Sequence, residues 1–188
     1  MTETITLKNV SKSYGAHNVL QSFCAKIPLS GVTIIRGASG AGKTTLFRLL
    51  LGLERPDTGE IHGMCGRKPA VVFQEDRLLP WATALENAAL GSDPKKAEYA
   101  LRRLGLGENL RLLPRELSGG MKRRVAIARA LSYGGGILFL DEPFTGLDEE
   151  NKKTVVGAML AQGVPILVIT HDDSEAALFG SCSTIEIG

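Results

Sequence analysis

Two patterns of apolar and polar residues follow one another along the chain. At the start, apolar and polar residues partly alternate in ITLKNV (5–10) and VLQSFCAKI (19–27), which the turn-like SKSYGAHN separates. A period of two is typical of half-buried strands, so this part predicts antiparallel strands. From residue 32 onward, short apolar runs alternate with helix-like segments; the runs are VTII, AVVF, ILFL and PILVI. This order predicts a parallel sheet with crossover helices.

A long stretch without strand candidates interrupts the apolar runs. It extends from residue 82 to 131 and begins with Thr83-Ala-Leu-Glu86, a capping-box pattern. Glycines and prolines separate the helix-like segments within it. We therefore predict one domain in two parts, in which 1–81 and 132–188 form an α/β core with an N-terminal antiparallel β subdomain. Residues 82–131 are predicted to form an inserted α-helical subdomain.

The composition fits one globular domain without a strongly charged surface. The chain has 188 residues, of which 44% are hydrophobic and 22% charged, and its formal net charge is +2. Nucleic-acid-binding domains commonly carry a basic patch or an excess of positive charge, so we expect no nucleic-acid partner. The basic run Lys122-Arg123-Arg124 is predicted to be a solvated face of a helix.

The cysteines and the longest apolar runs indicate the cellular compartment of the chain. Cys24, Cys65 and Cys182 form no Cys-x-x-Cys pair, which argues against structural zinc and a disulfide framework and suits a reducing cytoplasm. The longest apolar runs, such as VPILVIT, are far shorter than the about 18 residues that cross a bilayer. No apolar N-terminal segment resembles a signal peptide. We expect a chain that does not span a membrane but can dock on a protein that does.

A glycine-rich loop predicts phosphate binding. GASGAGKTT (37–45) follows the strand candidate VTIIR, precedes a helix-like run and matches G-x-x-x-x-G-K-[ST]. The glycines let backbone amides turn towards phosphate oxygens, and the helix adds its positive dipole end. Lys43 is predicted to reach the β- and γ-phosphates and Thr44 to ligate Mg²⁺; a fortuitous glycine-rich loop is disfavoured by the spacing and both flanks. The predicted nucleotide contacts are Gly37, Ala38, Ser39, Gly40, Ala41, Gly42, Lys43, Thr44 and Thr45.

Two adjacent acids end the strand candidate ILFL. In ILFLDEP, Asp141 is placed to hold Mg²⁺ through water. Glu142, one residue further, is placed to orient or deprotonate the attacking water. Paired acids can also simply cap a strand, but that interpretation is weak beside the phosphate loop.

The stretch LSGGM (117–121) stands directly before the helix-like MKRRVAIARAL. A serine with exposed amides at the start of a helix can bind an anion, although alone it is more often a capping turn. A Gly-Gly pair in regular structure costs stability, which suggests that another group approaches the backbone closely there.

The order of these motifs resembles the ATP-binding subunit of an ABC transporter. The phosphate loop, Gln74 in VVFQED, LSGGM, ILFLDEP, GLD (146–148) and the THD around His171 follow one another in the family's order over almost the whole chain. The resemblance implies a P-loop NTPase fold with a RecA-like parallel sheet. It also implies an ATPase with ATP and Mg²⁺ as cofactors.

The resemblance gives further residues a role in each site. It implies that Tyr14 stacks on adenine, although a plain surface tyrosine is the alternative. Gln74 would sense Mg²⁺ and the reacting water and relay that state to a membrane partner. Asp148 would lie at the subunit boundary, and His171 would contact the γ-phosphate, although a lone histidine after a strand is more often structural.

The resemblance also implies two chains around two ATP molecules. Ser118, Gly119 and Gly120 would cap the γ-phosphate held by a second, identical subunit, and hydrolysis would let the two subunits separate. The chain departs from the usual pattern at Met121, where glutamine is common, and we expect this to tune activity without abolishing it. Since the chain finishes with STIEIG shortly after THDDSEAALFG, we expect no C-terminal regulatory domain.

The expected partner is a permease at the cytoplasmic face of the cell membrane. The stretch FQEDRLLPWATALENAAL is similar to nitrate, sulfonate and taurine importer ATPases. Trp81 is predicted to contact the permease or, as an equal alternative, to be buried in the helical segment. Other classes are a non-transport ABC ATPase acting on a soluble assembly or on the cell wall, a DNA-maintenance or translation factor, and a small-molecule kinase. The long coiled-coil insertion or tandem ATPase halves of the DNA and translation factors are absent from this sequence, and a kinase needs no LSGG.

Overall fold

The computed structural model describes residues 3–64 and 66–188. The strands are β1 (Thr4–Tyr14), β2 (His17–Pro28), β3 (Val32–Gly37), β4 (Thr58–His62), β5 (Pro69–Val72), β6 (Ile137–Asp141), β7 (Ile166–Ile169) and β8 (Ser183–Ile187). The helices are α1 (Lys43–Leu50), α2 (Ala84–Ala88), α3 (Pro94–Arg103), α4 (Gly119–Tyr133), α5 (Glu149–Leu160) and α6 (Asp173–Ala177), with a 3₁₀ turn at Pro114–Glu116.

A parallel sheet of five strands forms the centre of the domain. Its order is β5-β6-β7-β3-β8, and every neighbouring pair is parallel. The four apolar runs form β3, β5, β6 and β7, so the predicted parallel sheet is confirmed. The edge strand β8 was not predicted, because only Ile187 among its five residues is fully buried.

A second sheet of three antiparallel strands has the order β2-β1-β4. The predicted pairing of the first two strands is confirmed, with Ile5 opposite Ile27. The turn between them is much shorter than SKSYGAHN, because β1 continues to Tyr14, which pairs with His17 across Gly15 and Ala16. The third strand, β4, was not predicted.

The segment between β5 and β6 contains α2, α3, the 3₁₀ turn and α4, and no strand among its residues. The capping box at the start of α2 is confirmed. The Thr83 side chain accepts from the Glu86 amide at 3.2 Å, and the Glu86 carboxylate accepts from the Thr83 amide at 2.7 Å. Both bonds satisfy amides that a helix start otherwise leaves unpaired.

Successive residues of the central strands face two separate cores. Leu138 and Leu140 of β6 pack with residues of α3, α4 and α5. Phe139 faces the other side, where it packs with α1 and the antiparallel sheet, and its ring meets that of Phe47 edge to face at 5.3 Å. The domain is therefore layered, with the parallel sheet between the helices and the antiparallel sheet.

The carboxyl ends of β3, β6 and β7 lie side by side. Ile169, the last residue of β7, is the register partner of both Ile35 in β3 and Asp141 in β6. The segments that leave these strands therefore meet at one edge of the sheet, which is where open α/β sheets bind ligands.

None of the described helices is long and apolar enough to cross a bilayer. Cys24 and Cys182 are free thiols, and Cys65 lies outside the described residues.

Candidate functional site

The loop between β3 and α1 has a shape that requires glycine. Gly37 and Gly42 have φ angles of 152° and 97°, a range that side chains of L-residues rarely adopt. A Cβ at Gly37 would lie 2.3 Å from the carbonyl oxygen of Ile187, and one at Gly42 would lie 2.7 Å from Val19. The spacing of the motif therefore matches the two points where the backbone has no room for a side chain.

Lys43 holds its ammonium group over this loop. Its Nζ donates to the carbonyl oxygens of Gly37 and Ala38, both at 2.8 Å. Ser39 and Gly40, at the tip of the loop, are exposed. The loop thus presents an ammonium group and accessible backbone next to a helix N-terminus, which together suit a bound phosphate group.

Thr44 and Asp141 bring a hydroxyl and a carboxylate together. The Thr44 hydroxyl donates to Asp141 Oδ2 at 3.2 Å, although the two residues are 97 positions apart in sequence. Burial raises the pKa of the Asp141 carboxyl, and the bond from Thr44 acts in the opposite direction. Hard oxygen ligands of this kind fit Mg²⁺, so this pair could hold the ion.

Glu142 and His171 form the next pair along the same edge of the sheet. His171 Nδ1 lies 2.9 Å from Glu142 Oε1, and this contact raises the pKa of His171. Glu142 has a φ of 47°; such a backbone conformation in a non-glycine residue costs about 1–3 kcal/mol and persists only where the surroundings fix it. The largely exposed imidazole, with 78% of its side chain accessible, is thus held beside a carboxylate that is itself mostly covered.

We expect Glu142→Gln to lower the pKa of His171 towards its ordinary value, because the neighbouring carboxylate stabilises the imidazolium. The pKa of His171 is higher in the folded than in the unfolded chain, so protonation of His171 stabilises the fold. This contribution to the free energy of unfolding is fully present below about pH 6.5 and is lost as the pH rises through the raised pKa. NMR titration of the His171 ring, assigned with His171→Asn, measures this shift. A His171 pKa that is unchanged in Glu142→Gln would contradict the contact.

One cavity of about 400 Å³ brings most of the predicted nucleotide-site residues together. It is lined by Tyr14, Val19, Ser39, Gly40, Gly42, Lys43, Thr44, Thr45, Gln74, Asp141, Glu142 and Ile169. Tyr14 is exposed at its rim and donates its hydroxyl hydrogen bond to Glu54. Gly37, Ala38 and Ala41 support the loop without lining the cavity, and His171 reaches it only through Glu142.

The residues of LSGGM and GLD do not line this cavity. Ser118 caps α4 by accepting from the Met121 amide at 3.2 Å, and Asp148 caps α5 by accepting from the Asn151 amide at 2.8 Å. This bond is the first cause of the lowered pKa of Asp148. The capping interpretation of the serine is confirmed.

A close backbone contact explains why glycine stands at position 120, the second residue of the Gly-Gly pair. A Cβ at Gly120 would lie 2.8 Å from the carbonyl oxygen of Gly146, so LSGGM and GLD touch through their backbones. Nothing lies within 4 Å of a Cβ built at Gly119. The two motifs therefore form one continuous surface, and this surface does not line the cavity of their own chain.

The prediction of a solvated face at Lys122-Arg123-Arg124 is wrong for Arg123. Only 2% of Arg123 is exposed, and its guanidinium donates to backbone carbonyls of two segments, including Phe73 O at 2.6 Å and Glu142 O at 2.6 Å. Arg124 is half-buried and donates to Leu104 O at 2.9 Å. A run of three charges gives no sign of burial, because burial depends on acceptors that other parts of the chain supply.

A second cavity, of about 460 Å³, lies between α3, α4 and α5. Its lining includes Lys95, Tyr99, Arg103, Leu131 and Gln162, and none of the predicted site residues. The smaller cavity is the better functional site, since it alone combines a phosphate-type loop with a carboxylate pair.

The chain matches one known protein family over most of its length. A family model described as "ABC transporter" matches residues 20–145, which is more than half of the chain. The chain belongs to the ABC transporter family. This match confirms the resemblance inferred from the order of the motifs.

Curated relatives of this ABC protein point to one subfamily. It is 41% identical over 180 residues to the aliphatic sulfonates import ATP-binding protein SsuB 3 of Paraburkholderia xenovorans, covering 92% of this chain and 72% of that protein. It is 39% identical over 187 residues to SsuB of Escherichia coli, with the same coverage of the two chains. Both relatives are named as sulfonate import proteins, which belong to the subfamily that the sequence predicted.

Solved structures confirm the P-loop NTPase fold. A bacterial ABC transporter cassette solved as a dimer is 28% identical, with a TM-score of 0.85 over 98% of this chain and 95% of that one. A post-hydrolysis dimer bound to ADP and Pi is also 28% identical, with a TM-score of 0.84 over 97% of this chain and 96% of that one. The ABC protein described here is thus an ATP-binding ATPase, with the RecA-like parallel sheet that the motifs predicted.

Proposed function

We propose that this chain is the ATPase subunit of an importer for small organic anions such as aliphatic sulfonates. It works as a homodimer that binds two ATP molecules and drives a permease at the cytoplasmic face of the membrane. The observation that carries the proposal is the division of the motifs. The phosphate loop, Asp141 and Glu142 share one cavity, while Ser118 and Gly120 lie outside it. The names of the sulfonate-importing relatives support the choice of substrate class.

The proposed reaction is hydrolysis of the γ-phosphate by water. The loop amides and Lys43 bind the β- and γ-phosphates, and Glu142 accepts a proton as the water oxygen attacks the γ-phosphorus. The bond from that phosphorus to the bridging oxygen breaks, and ADP leaves. His171 contacts the γ-phosphate and holds one oxygen of Glu142 at 2.9 Å, which leaves the other carboxylate oxygen to accept the proton.

The oxygen atoms near the phosphate loop fit Mg²⁺. Thr44, Asp141 and Gln74 all line the cavity, and Thr44 and Asp141 already lie within hydrogen-bonding distance. In the proposed site, Thr44 would ligate the ion, Asp141 would hold it through water, and Gln74 would sense it. When bound, the ion neutralises charge on the phosphates.

The second subunit completes each site. In one chain, Ser118 stands at the N-terminus of α4, a helix of 15 residues, and a Cβ added to its neighbour Gly119 would lie in open space. Amides at such a helix start attract anions. We infer that Ser118, Gly119 and Gly120 cap the γ-phosphate on the partner chain, with Asp148 at the boundary. ATP then holds the dimer together, and loss of the γ-phosphate opens it.

A groove beside the nucleotide cavity suits the permease. A space of about 120 Å³ is lined by Phe47, Leu51, Phe73 and Arg77 and shares Thr44, Gln74 and Asp141 with the nucleotide cavity. A segment docked there would touch the same glutamine that faces ATP. Trp81 follows this region and is 74% exposed, so the alternative in which it is buried in the helical segment is wrong.

We expect Trp81→Ala to weaken recruitment to permease-containing membranes while ATP affinity stays unchanged. An exposed tryptophan at an interface commonly contributes more than 1 kcal/mol, or roughly fivefold or more in affinity. Cosedimentation with membranes and titration with a fluorescent ATP analogue measure the two quantities. Tyr99→Ala is the matched control, because Tyr99 is also an exposed aromatic residue, at 65%, but lies on α3.

A pull-down from solubilised membranes tests the proposed function as a whole. Recovery of a multi-spanning permease with this chain supports it. Recovery of soluble partners alone would favour the non-transport ABC ATPase, and transfer of phosphate to a small molecule without any partner would favour a kinase.

A further inference from the structure

The most heavily bonded buried side chain outside the cavity is that of Arg123 on α4. All three of its guanidinium nitrogens donate hydrogen bonds. The acceptors in the segment after β5 are Phe73 O at 2.6 Å, Gln74 O at 3.2 Å and Asp76 Oδ1 at 3.2 Å. The acceptors at the end of β6 are Asp141 O at 2.9 Å, Glu142 O at 2.6 Å and Pro143 O at 2.9 Å.

Each of the two bonded segments carries a group of the proposed reaction. Gln74 faces the nucleotide cavity from the first segment, and Glu142 faces it from the second. The guanidinium is planar and presents its donors in a rigid fork, so it fixes the two segments relative to one another. Neither segment can shift relative to the other without breaking bonds to a guanidinium that is itself buried.

The bond from Arg123 to the Glu142 carbonyl helps to hold an unusual backbone conformation. With a φ of 47°, this residue occupies a sparsely populated conformation that needs surrounding contacts to persist. The Glu142 amide donates to Ile169 O at 3.0 Å, and its carbonyl accepts from Arg123 at 2.6 Å and from the Thr145 hydroxyl at 3.1 Å. These bonds together hold the peptide groups on both sides of the Glu142 side chain, and the bond from Arg123 is the shorter of the two to the carbonyl.

We propose that Arg123 is a positioning residue for ATP hydrolysis, which fixes Glu142 and Gln74 in one relative placement. The proposal rests on the roles given above to these two residues. Arg123 itself does not line the nucleotide cavity. Lysine is a poor replacement, because its ammonium group has three donors on one nitrogen and cannot reproduce the planar fork that bonds six acceptors.

The test compares kcat with ATP affinity in Arg123→Gln and Arg123→Lys. Since a misplacement of about 1 Å can cost on the order of 100-fold in rate, we expect kcat to fall by about 10- to 100-fold in both variants. The Kd for ATP should stay within about twofold, because the phosphate loop is untouched. Measurements are made well below the melting temperature of each variant, so that a loss of folded protein does not enter kcat.

Arg129→Gln is the matched control. Arg129 is also on α4 and donates to Asp76 O at 2.7 Å and Arg77 O at 2.9 Å, but it makes no bond to the end of β6. This variant should lose thermal stability and keep kcat within about threefold of the wild-type value. Equal losses of kcat in Arg129→Gln and Arg123→Gln would show a general effect of loosening α4 and would overturn the proposal.

A double substitution separates positioning from a merely structural role. In the wild-type chain, Arg123→Gln is expected to lower kcat by about tenfold or more. If Arg123 acts through Glu142, the same substitution in a Glu142→Gln chain should lower the residual kcat by less than about twofold. A full additional loss would overturn the proposal, and so would wild-type kcat in folded Arg123→Lys. Should Arg123→Gln fail to fold, Arg123→Lys carries the same comparison. Wild-type turnover in Glu142→Gln alone would instead reject the proposed function.

Discussion

Replacing Glu142 with Gln is expected to lower ATP turnover by roughly 100- to 10,000-fold while ATP binding is retained. Glutamine has nearly the same shape as glutamate, so the cavity and its phosphate loop stay intact. The amide cannot accept the proton of the attacking water, however, so the step that needs a base becomes slow. Phosphate release and titration with a fluorescent ATP analogue measure the two effects.

The same variant should accumulate as a dimer with ATP. Because the γ-phosphate is not removed, the contacts that depend on it persist, and size exclusion with ATP should show a mass near twice that of the 20.1 kDa chain. Glu98→Gln is the control, since Glu98 pairs with Arg102 on the surface of α3. A Glu142→Gln chain that binds ATP and still elutes as a monomer would count against the shared site.

Replacing Lys43 with Ala is expected to weaken ATP binding itself by about 10- to 100-fold. Hydrogen bonds to a charged group contribute about 1.5–3 kcal/mol, and about 1.4 kcal/mol corresponds to a factor of ten. Calorimetric or fluorescence titration gives the affinity. The melting temperature shows whether the loop has lost its fold along with the two bonds from Nζ to Gly37 and Ala38.

Lys68→Ala is the control for the lysine, because Lys68 is exposed and lies just before β5, at the opposite end of the parallel strands. It should leave the affinity for ATP unchanged. An unchanged ATP affinity in a folded Lys43→Ala chain would be incompatible with the proposed phosphate site.

The features that could be predicted from the sequence are those determined by short stretches. The glycines of 37–45 are fixed by the backbone of that loop and by its close neighbours, so their spacing alone identifies the motif. Continuous apolar runs identify β3, β6 and β7 because both faces of these strands are buried. The acids after ILFL could be placed at the site because parallel strands end at one edge of the sheet.

The features that were missed depend on contacts with distant parts of the chain. The edge strands β4 and β8 are mostly exposed and show no apolar run, so only their pairing with β1 and β3 reveals them. Arg123 is buried because carbonyl groups some 20 and 50 residues away converge on it. The sequence also could not decide whether Trp81 is buried or exposed, since a tryptophan is suited both to a core and to an interface.

The most direct test of the shared ATP site joins Ser39 of one chain to Ser118 of another. Two populations are mixed, one with Ser39→Cys and one with Ser118→Cys, both with Glu142→Gln and with Cys24, Cys65 and Cys182 replaced by Ser. We expect a short thiol crosslinker to join separate chains when ATP is saturating and to join few without it. If no intermolecular product forms at saturating ATP, although both chains bind the nucleotide, then neither chain completes the ATP site of the other, and the shared site is contradicted.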